Sequence, residues 1–222
     1  FLTRTYQNIV LSGFIGEVFD RYQIPYTIIP NIIELKKNIY RERDTIRPKF
    51  ISTRALTETY NVGCTIRAFQ TVLQKYPEAE LTLVGDGNKR KELEDYVREH
   101  GIPHVTFTGQ VDNDTIYDYL NSADIFISSS RFDNMPVSVL EGFNAGLLVI
   151  ASRVGGVPFM IKDGENGLLF QDNCDEELAE KMIYAVEHSN ESAAMMKSAF
   201  HSLRQYRWEN NRDSLLTIYK GN

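Results

Sequence analysis

Cysteine is scarce in this chain, with only Cys64 and Cys174 among 222 residues. Their wide separation supports neither a disulfide framework nor a thiolate zinc site, and a reducing compartment fits. The four histidines, His100, His104, His188 and His201, show no paired metal-ligand spacing and read as structural or surface residues. No apolar run approaches the roughly 20 residues that a membrane span requires, and no signal peptide opens the chain. Basic residues are in deficit, 24 Lys and Arg against 30 Asp and Glu, for a net charge of -6. That balance argues against a nucleic-acid partner, because phosphate backbones select clustered cations. An initiator methionine is also lacking, and Phe1-Leu2-Thr3 reads as mid-sequence, so an excised fragment is expected. Repeats and low-complexity tracts are absent. What remains, 42% hydrophobic and 24% charged, is the composition of an ordinary globular chain.

From Lys49 onward, short β-rich runs alternate with amphipathic helical stretches, the pattern of βαβ units in a parallel sheet covered on both faces. Six strands are predicted: Lys49 to Ser52, Glu80 to Val84, Val105 to Gly109, Asp124 to Ser128, Leu147 to Ala151 and Gly167 to Phe170. Val62, Ile66, Phe69, Val72, Leu73 and Tyr76 form the apolar stripe of a helix that Pro77 ends. A charged helix around Leu93, Tyr96 and Val97 closes at Gly101, and Ile116 with Leu120 marks a short one. Two more helices run from Pro136 to Ala145, with proline in the first turn, and from Glu176 to Glu187. The run Leu147 to Ala151 shows no polar alternation, as a central strand should not. The tail from Glu191 to Asn222 reads as helical, anchored by Phe200, Leu203, Trp208, Leu215, Leu216 and Tyr219.

The reading is therefore α/β, a doubly wound Rossmann-like parallel sheet over residues 49–205. A piece of a different sheet precedes it at 1–35, carried by Ile9-Val10-Leu11 and Tyr26 to Asn31. A charged connector fills 36–48, and a carboxyl-terminal helix covers 206–222.

In an open parallel sheet, ligands bind in the crevice at the carboxyl ends of the strands, so the loops there are the places to look. Thr53-Arg54 follows the first strand of the main sheet, where arginine presents a phosphate-matching fork or is a plain surface residue. Gly85-Asp86-Gly87 lets backbone approach a ligand or simply turns. Gly109-Gln110-Val111 either faces a planar base or is an ordinary strand exit. The richest loop is Ser128 to Pro136, leading into a helix whose N-terminus suits a diphosphate or sugar hydroxyls. Asp133 and Glu141 flank that helix start; a carboxylate accepts well from two vicinal hydroxyls. The plain alternatives are a helix-capping Asp133 and an exposed Glu141.

The order Ile29-Pro30-Asn31, Ser52-Thr53-Arg54, Val84-Gly85-Asp86-Gly87, Phe107-Thr108-Gly109, Ala123-Asp124-Ile125-Phe126, Asp133 with Glu141, and Val154-Gly155-Gly156-Val157-Pro158 carries a resemblance. It resembles the carboxyl-terminal, donor-binding domain of retaining GT-B glycosyltransferases of family 4, the glycosyl transferases group 1, over nearly the whole chain. The resemblance implies transfer of a sugar from a nucleotide-diphosphate sugar to a hydroxyl acceptor with retention, in polysaccharide or glycolipid synthesis. It implies that Asp133 lies near the donor sugar and Arg54 at the diphosphate, the two catalytic candidates. Donor binding would fall to Glu141 at the ribose, Asn134, Met135, Pro136, Val137 and Arg131 around sugar and phosphate, Gly85 and Gly87, and Gln110 with Val111 beside the base.

No metal and no cofactor are expected beyond the nucleotide-sugar substrate. The implied partners are that donor and an acceptor glycan or lipid-linked sugar, in the cytoplasm, and the resemblance allows peripheral membrane association through the rest of the amino-terminal domain. Two departures stand out. Thr59 replaces the lysine usual five residues after the arginine, removing one of two cations for the departing diphosphate. Asp133 replaces the usual glutamate and shortens its reach by about one methylene. A degenerate, non-catalytic domain that binds a nucleotide sugar or a partner, and an epimerase of nucleotide sugars, are the alternative functions.

Overall fold

The computed structural model describes residues 7–34 and 39–220; Phe1 to Thr3, the start of the connector at Lys36 and the tail end at Asn222 fall outside them. The first described piece is β1 (Ile9–Val10), α1 (Gly13–Arg21) and β2 (Thr27–Ile28), whose two strands pair in parallel. The main body follows as β3 (Lys49–Ser52), α2 (Val62–Val72), β4 (Glu80–Val84), α3 (Arg90–Glu99), β5 (Val105–Gly109), α4 (Ile116–Ser122), β6 (Ile125–Ser128) and α5 (Val137–Asn144). It continues with β7 (Leu148–Ser152), α6 (Val157–Met160), β8 (Leu168–Phe170), α7 (Asp175–Glu187), α8 (Ser189–Ser202), a 3-10 turn (Leu203–Tyr206) and α9 (Trp208–Lys220).

The six-stranded sheet has the order β5-β4-β3-β6-β7-β8, and every pairing is parallel. Strand order reverses between β3 and β6, so one crest of the sheet carries a topological switch point between the ends of those two strands. Alternation of side chains across the strands builds two cores. Phe50, Ile125, Ile127, Leu148 and Ile150 face one side with Ile66, Phe69 and Met182 of the helices. Ile51, Phe126, Val149 and Ala151 face the other, against Val139, Leu140 and Phe143 of α5 and Ala199 of α8. Each fully buried side chain of this size contributes about 1.5–3 kcal/mol through removal from water.

Several element ends differ from the sequence reading. Asp124, Leu147 and Gly167 lie just outside their strands, and Pro136 stands at the N-cap of α5 with φ -65° and ψ 115°, not inside the first turn. The α6 turn was not predicted, being only four residues long. The tail is not one helix: it breaks at the 3-10 turn, where Leu203 and Tyr206 are buried. Trp208, Leu216 and Tyr219 are exposed instead of anchoring the core; the buried residue of α9 is Asn211, whose amide donates to Gln205 O and Arg207 O of the preceding turn.

The charged connector also holds a surprise. Arg43 is buried at the foot of the sheet, its Nε donating to Asp124 at 2.8 Å and its other nitrogens to the carbonyls of Arg41, Ala123, Ala145 and Gly146. Arg47 donates to the same carboxylate through its backbone N–H, Nε and Nη2. A patternless charged segment thus hid a buried Arg43–Asp124 pair with a second arginine on the same carboxylate. Burial acts to raise the Asp124 carboxyl, but the bonds from Arg47 and Arg43 outweigh it and hold its pKa below the ordinary value.

Candidate functional site

At the opposite end of the β3–β6 pair, the chain leaves β3 as Thr53-Arg54 and leaves β6 as Ser129 to Met135. This crest concentrates incompletely paired polar atoms. Of the five buried side-chain polar atoms without a hydrogen-bond partner among the described residues, four lie here: Ser52 Oγ, Thr53 Oγ1, Arg54 Nε and Ser130 Oγ. Native interiors pair nearly all such groups, so this crest is where polar atoms are left for water or a ligand to satisfy.

Arg54 is its centre. Only 10% of its side chain is exposed. One terminal nitrogen donates to the Asp133 carboxylate, and the other donates to Ser138 Oγ at 2.7 Å. The Tyr60 ring lies against the guanidinium, with its centroid 4.1 Å from Cζ. Ser138 is the polar residue in the first turn of a helix otherwise lined by Val139, Leu140 and Phe143, and it is buried. One turn on, Glu141 is partly buried; desolvation raises its carboxyl pKa while the Arg54 charge opposes that shift. The exposed-Glu141 alternative therefore falls, and its carboxylate is poised where a ligand's hydroxyls would relieve the lost hydration.

The Asp133-Asn134-Met135 loop is held from two directions. Gly156 N–H donates to Asp133 O at 2.9 Å, and the Gly155-Gly156 turn presses so closely that an added Cβ would stand 2.1 Å from Asp133 O or 1.8 Å from Asn134 O. From the first piece, Ser12 Oγ donates to Asn134 Oδ1, and Asn31 N–H lies 3.1 Å from Met135 Sδ. Met135 and Pro136 are buried, and Val137 is exposed.

The other expected residues make no side-chain contact with this cluster, though two of them pack on its backbone. Arg131 donates its backbone N–H to Thr59 O at 2.8 Å, but its guanidinium pairs with Glu58 at 3.1 Å and lines a separate cavity of about 310 Å³ with Lys89, Arg67 and Asn173. Gly85 and Gly87 have a packing reason of their own: an added Cβ would meet Arg54 O at 2.5 Å or Leu56 O at 2.3 Å, and Gly85 holds φ 141°. They bring the β4 turn against the backbone that carries Arg54. Gln110 is exposed, and Val111 packs against the second core. Thr59 is exposed and brings no charge.

Sequence reasoning missed Tyr60, Ser138 and the role of the Gly155-Gly156 pair. A lone serine on an apolar helix face and two adjacent glycines after a strand were the available signals; nothing local announces that Tyr60 reaches Arg54. Among the described residues, no group of three or more His, Cys, Asp or Glu side chains converges as a metal site would require, and no helix is long and apolar enough to cross a membrane.

With this geometry in place, a profile of the glycosyl transferases group 1 matches residues 36–202, three quarters of the chain and both ends of the switch point. The chain belongs to that family. Its relatives include a sulfoquinovosyl transferase of Arabidopsis thaliana, 30% identical over 146 residues that cover 64% of this chain and 28% of the relative. An alpha-monoglucosyldiacylglycerol synthase of Acholeplasma laidlawii is 24% identical over 209 residues, 87% of this chain and 52% of that protein. The chain thus spans from about a quarter to about half of these group 1 relatives. Among solved structures, the sucrose-phosphate synthase of Thermosynechococcus elongatus superimposes with a TM-score of 0.81 at 20% identity, covering 99% of this chain and 59% of that one. Anabaena HepE in complex with UDP-glucose gives 0.83 at 19% identity, covering 98% and 65%. These neighbours establish the fold as that of GT-B glycosyltransferases.

Proposed function

We propose that this chain is the donor-binding part of a retaining glycosyltransferase that moves a sugar from a nucleotide-diphosphate sugar to a hydroxyl on a glycan or lipid-linked acceptor. The observation that carries the reading is a largely covered arginine at the switch point, whose charge acts on a desolvated glutamate and whose buried Nε has no acceptor among the described residues. Arg54 meets the diphosphate, Glu141 accepts from the ribose hydroxyls, and the loop of Asp133, Asn134 and Met135 with Pro136 and Val137 faces the sugar. Gly85, Gly87, Gln110 and Val111 border the base. Catalysis then rests on positioning and on stabilising the leaving diphosphate, without a metal. A neighbour solved with UDP-glucose and relatives named for sulfoquinovosyl transfer and for a glucosyldiacylglycerol support a nucleotide-sugar donor and a glycolipid product.

The test uses the full-length protein with UDP, GDP and ADP in calorimetry. The tightest diphosphate is expected to lose at least about tenfold in affinity on Glu141→Ala, the loss of hydrogen bonds to a charged acceptor. Unchanged affinity removes the ribose role. The raised pKa adds a sign: because the ionised carboxylate is the better acceptor, affinity falls as pH drops through that raised value, at a pH where an ordinary glutamate stays charged. The anomeric configuration of the product, read by NMR, decides retention. Thr59 favours a second reading, a domain that binds nucleotide without transferring; diphosphate binding with no turnover by the full-length protein would establish it.

A further inference from the structure

Arg54 is gripped on an unusual side. Its fork is held by Asp133 and Ser138, which both belong to the β6–α5 segment, whereas its Cζ lies over the ring of Tyr60, six residues along its own loop and 4.1 Å from the ring centroid. The placement of that ring is not left to the loop alone. Tyr60 O and Asn61 O both accept from Ser129 Oγ, at 3.2 and 2.9 Å, and Thr65 Oγ1 in turn donates to the same hydroxyl. Thr59 O accepts from Arg131 N–H. Asn61 takes φ 45°, a left-handed conformation that asparagine tolerates, and this turn sends the chain into α2 directly after the tyrosine. The backbone under Tyr60 is therefore clamped to the segment after β6 at three consecutive residues, and the ring also packs on the first core.

We propose that Tyr60 is a positioning residue for Arg54: its ring fixes the plane of the guanidinium so that the unpartnered Nε faces a diphosphate. The inference rests on the donor-binding reading and deepens it. An arginine attached to its neighbours only through the two terminal nitrogens swings about its long stem when a ligand phosphate competes with Asp133 for the same nitrogens. A ring on the guanidinium face removes that freedom without using any donor, since the attraction comes from the π cloud. On the donor-binding reading Arg54 is the cation at the diphosphate, and its work there depends on being held in one plane.

The experiment measures binding of UDP, GDP and ADP, and of the matching nucleosides, by full-length wild type and by Tyr60→Leu, Tyr60→Phe and Arg54→Ala. Tyr60→Leu is expected to weaken the tightest diphosphate about fivefold, the worth of a cation–π contact of roughly 1 kcal/mol, with nucleoside affinity unchanged. Tyr60→Phe, which keeps the ring, is expected to stay within about twofold of wild type. If Leu lowers the melting temperature, Tyr60→Met, flexible enough to refill the space, takes its place in the same comparison. Wild-type diphosphate affinity in the Leu or Met variant, while Arg54→Ala still weakens binding, overturns the positioning role and leaves the donor reading standing. Loss in Tyr60→Phe equal to that in Leu also overturns it, because the hydroxyl and not the ring would then be responsible. Failure of wild type to bind any of the three diphosphates brings down both.

Discussion

The β3–β6 strand pair carries an Arg–Asp cluster at each end, and the two are built to opposite specifications. At the foot, Asp124 is 1% exposed and receives bonds from two arginines, while Arg43 has every side-chain nitrogen matched to an acceptor. At the crest, Arg54 pairs with Asp133 but keeps a buried Nε unpartnered among the described residues, and Ser130, Ser52 and Thr53 add unpaired hydroxyls. The same residue types at two ends of the same strands thus distinguish a rivet from a receptor. Completeness of the hydrogen bonding separates them where residue identity does not.

The largest expected effect breaks the rivet. Asp124→Ala leaves Arg43 buried without its carboxylate, and loss of one partner of such a cluster costs about 3–5 kcal/mol, read as a lower midpoint in urea denaturation. A loss under about 1 kcal/mol would show the two ends to be equivalent. The wild-type cluster also has a pH signature. With the Asp124 pKa depressed in the folded state, its contribution is present above the ordinary carboxyl value and is lost as pH falls through the lower, folded one; stability in the Ala variant should be flatter across that acid range.

Arg54→Ala is the converse. It should cost less stability than Asp124→Ala, because Asp133 at 15% exposed can regain water that Asp124 at 1% exposed cannot, yet on the proposed reading lower transfer by the full-length protein about 100-fold or more, as removal of a charge-stabilising donor does. Steady-state turnover with thermal melting on the same preparations separates these outcomes. The smallest change sharpens the comparison by adding charge. Thr59→Lys places an ammonium beside the crest and is expected to tighten UDP binding about fivefold at low salt, with the gain shrinking as salt rises. No gain at any ionic strength would mean that position 59 does not face the diphosphate.

The doubly wound sheet was legible because its signals are periodic. Val62 to Val72 shows a stripe and Leu148 to Ala151 a two-sided apolar run, and both follow from the surfaces that these elements bury. The tail was misread because Trp208 and Tyr219 are large and apolar but sit on α9 beyond the break at Leu203 to Tyr206, and no local pattern marks that break. Arg54, Asp133 and Glu141 were named from their positions after strands and around a helix start, and the fold brings them together at the crest. Arg131 follows the same logic and still turns its guanidinium to Glu58, since loop residues take direction from contacts that sequence does not display. Tyr60 escaped for the complementary reason: its importance lies in one ring–guanidinium contact that only the folded loop creates.

The Gly155-Gly156 turn bears on how this site can change over evolutionary time. With bare α-carbons seated against the carbonyls of Asp133 and Asn134, the loop of Asp133, Asn134 and Met135 has no slack in its main chain. On the donor-binding reading proposed above, a shift toward a different sugar is then confined to exchanging side chains at positions such as 134, 135 and 137 on a fixed track. The track itself is kept by two glycines at which any added Cβ would collide with main-chain oxygens of the loop.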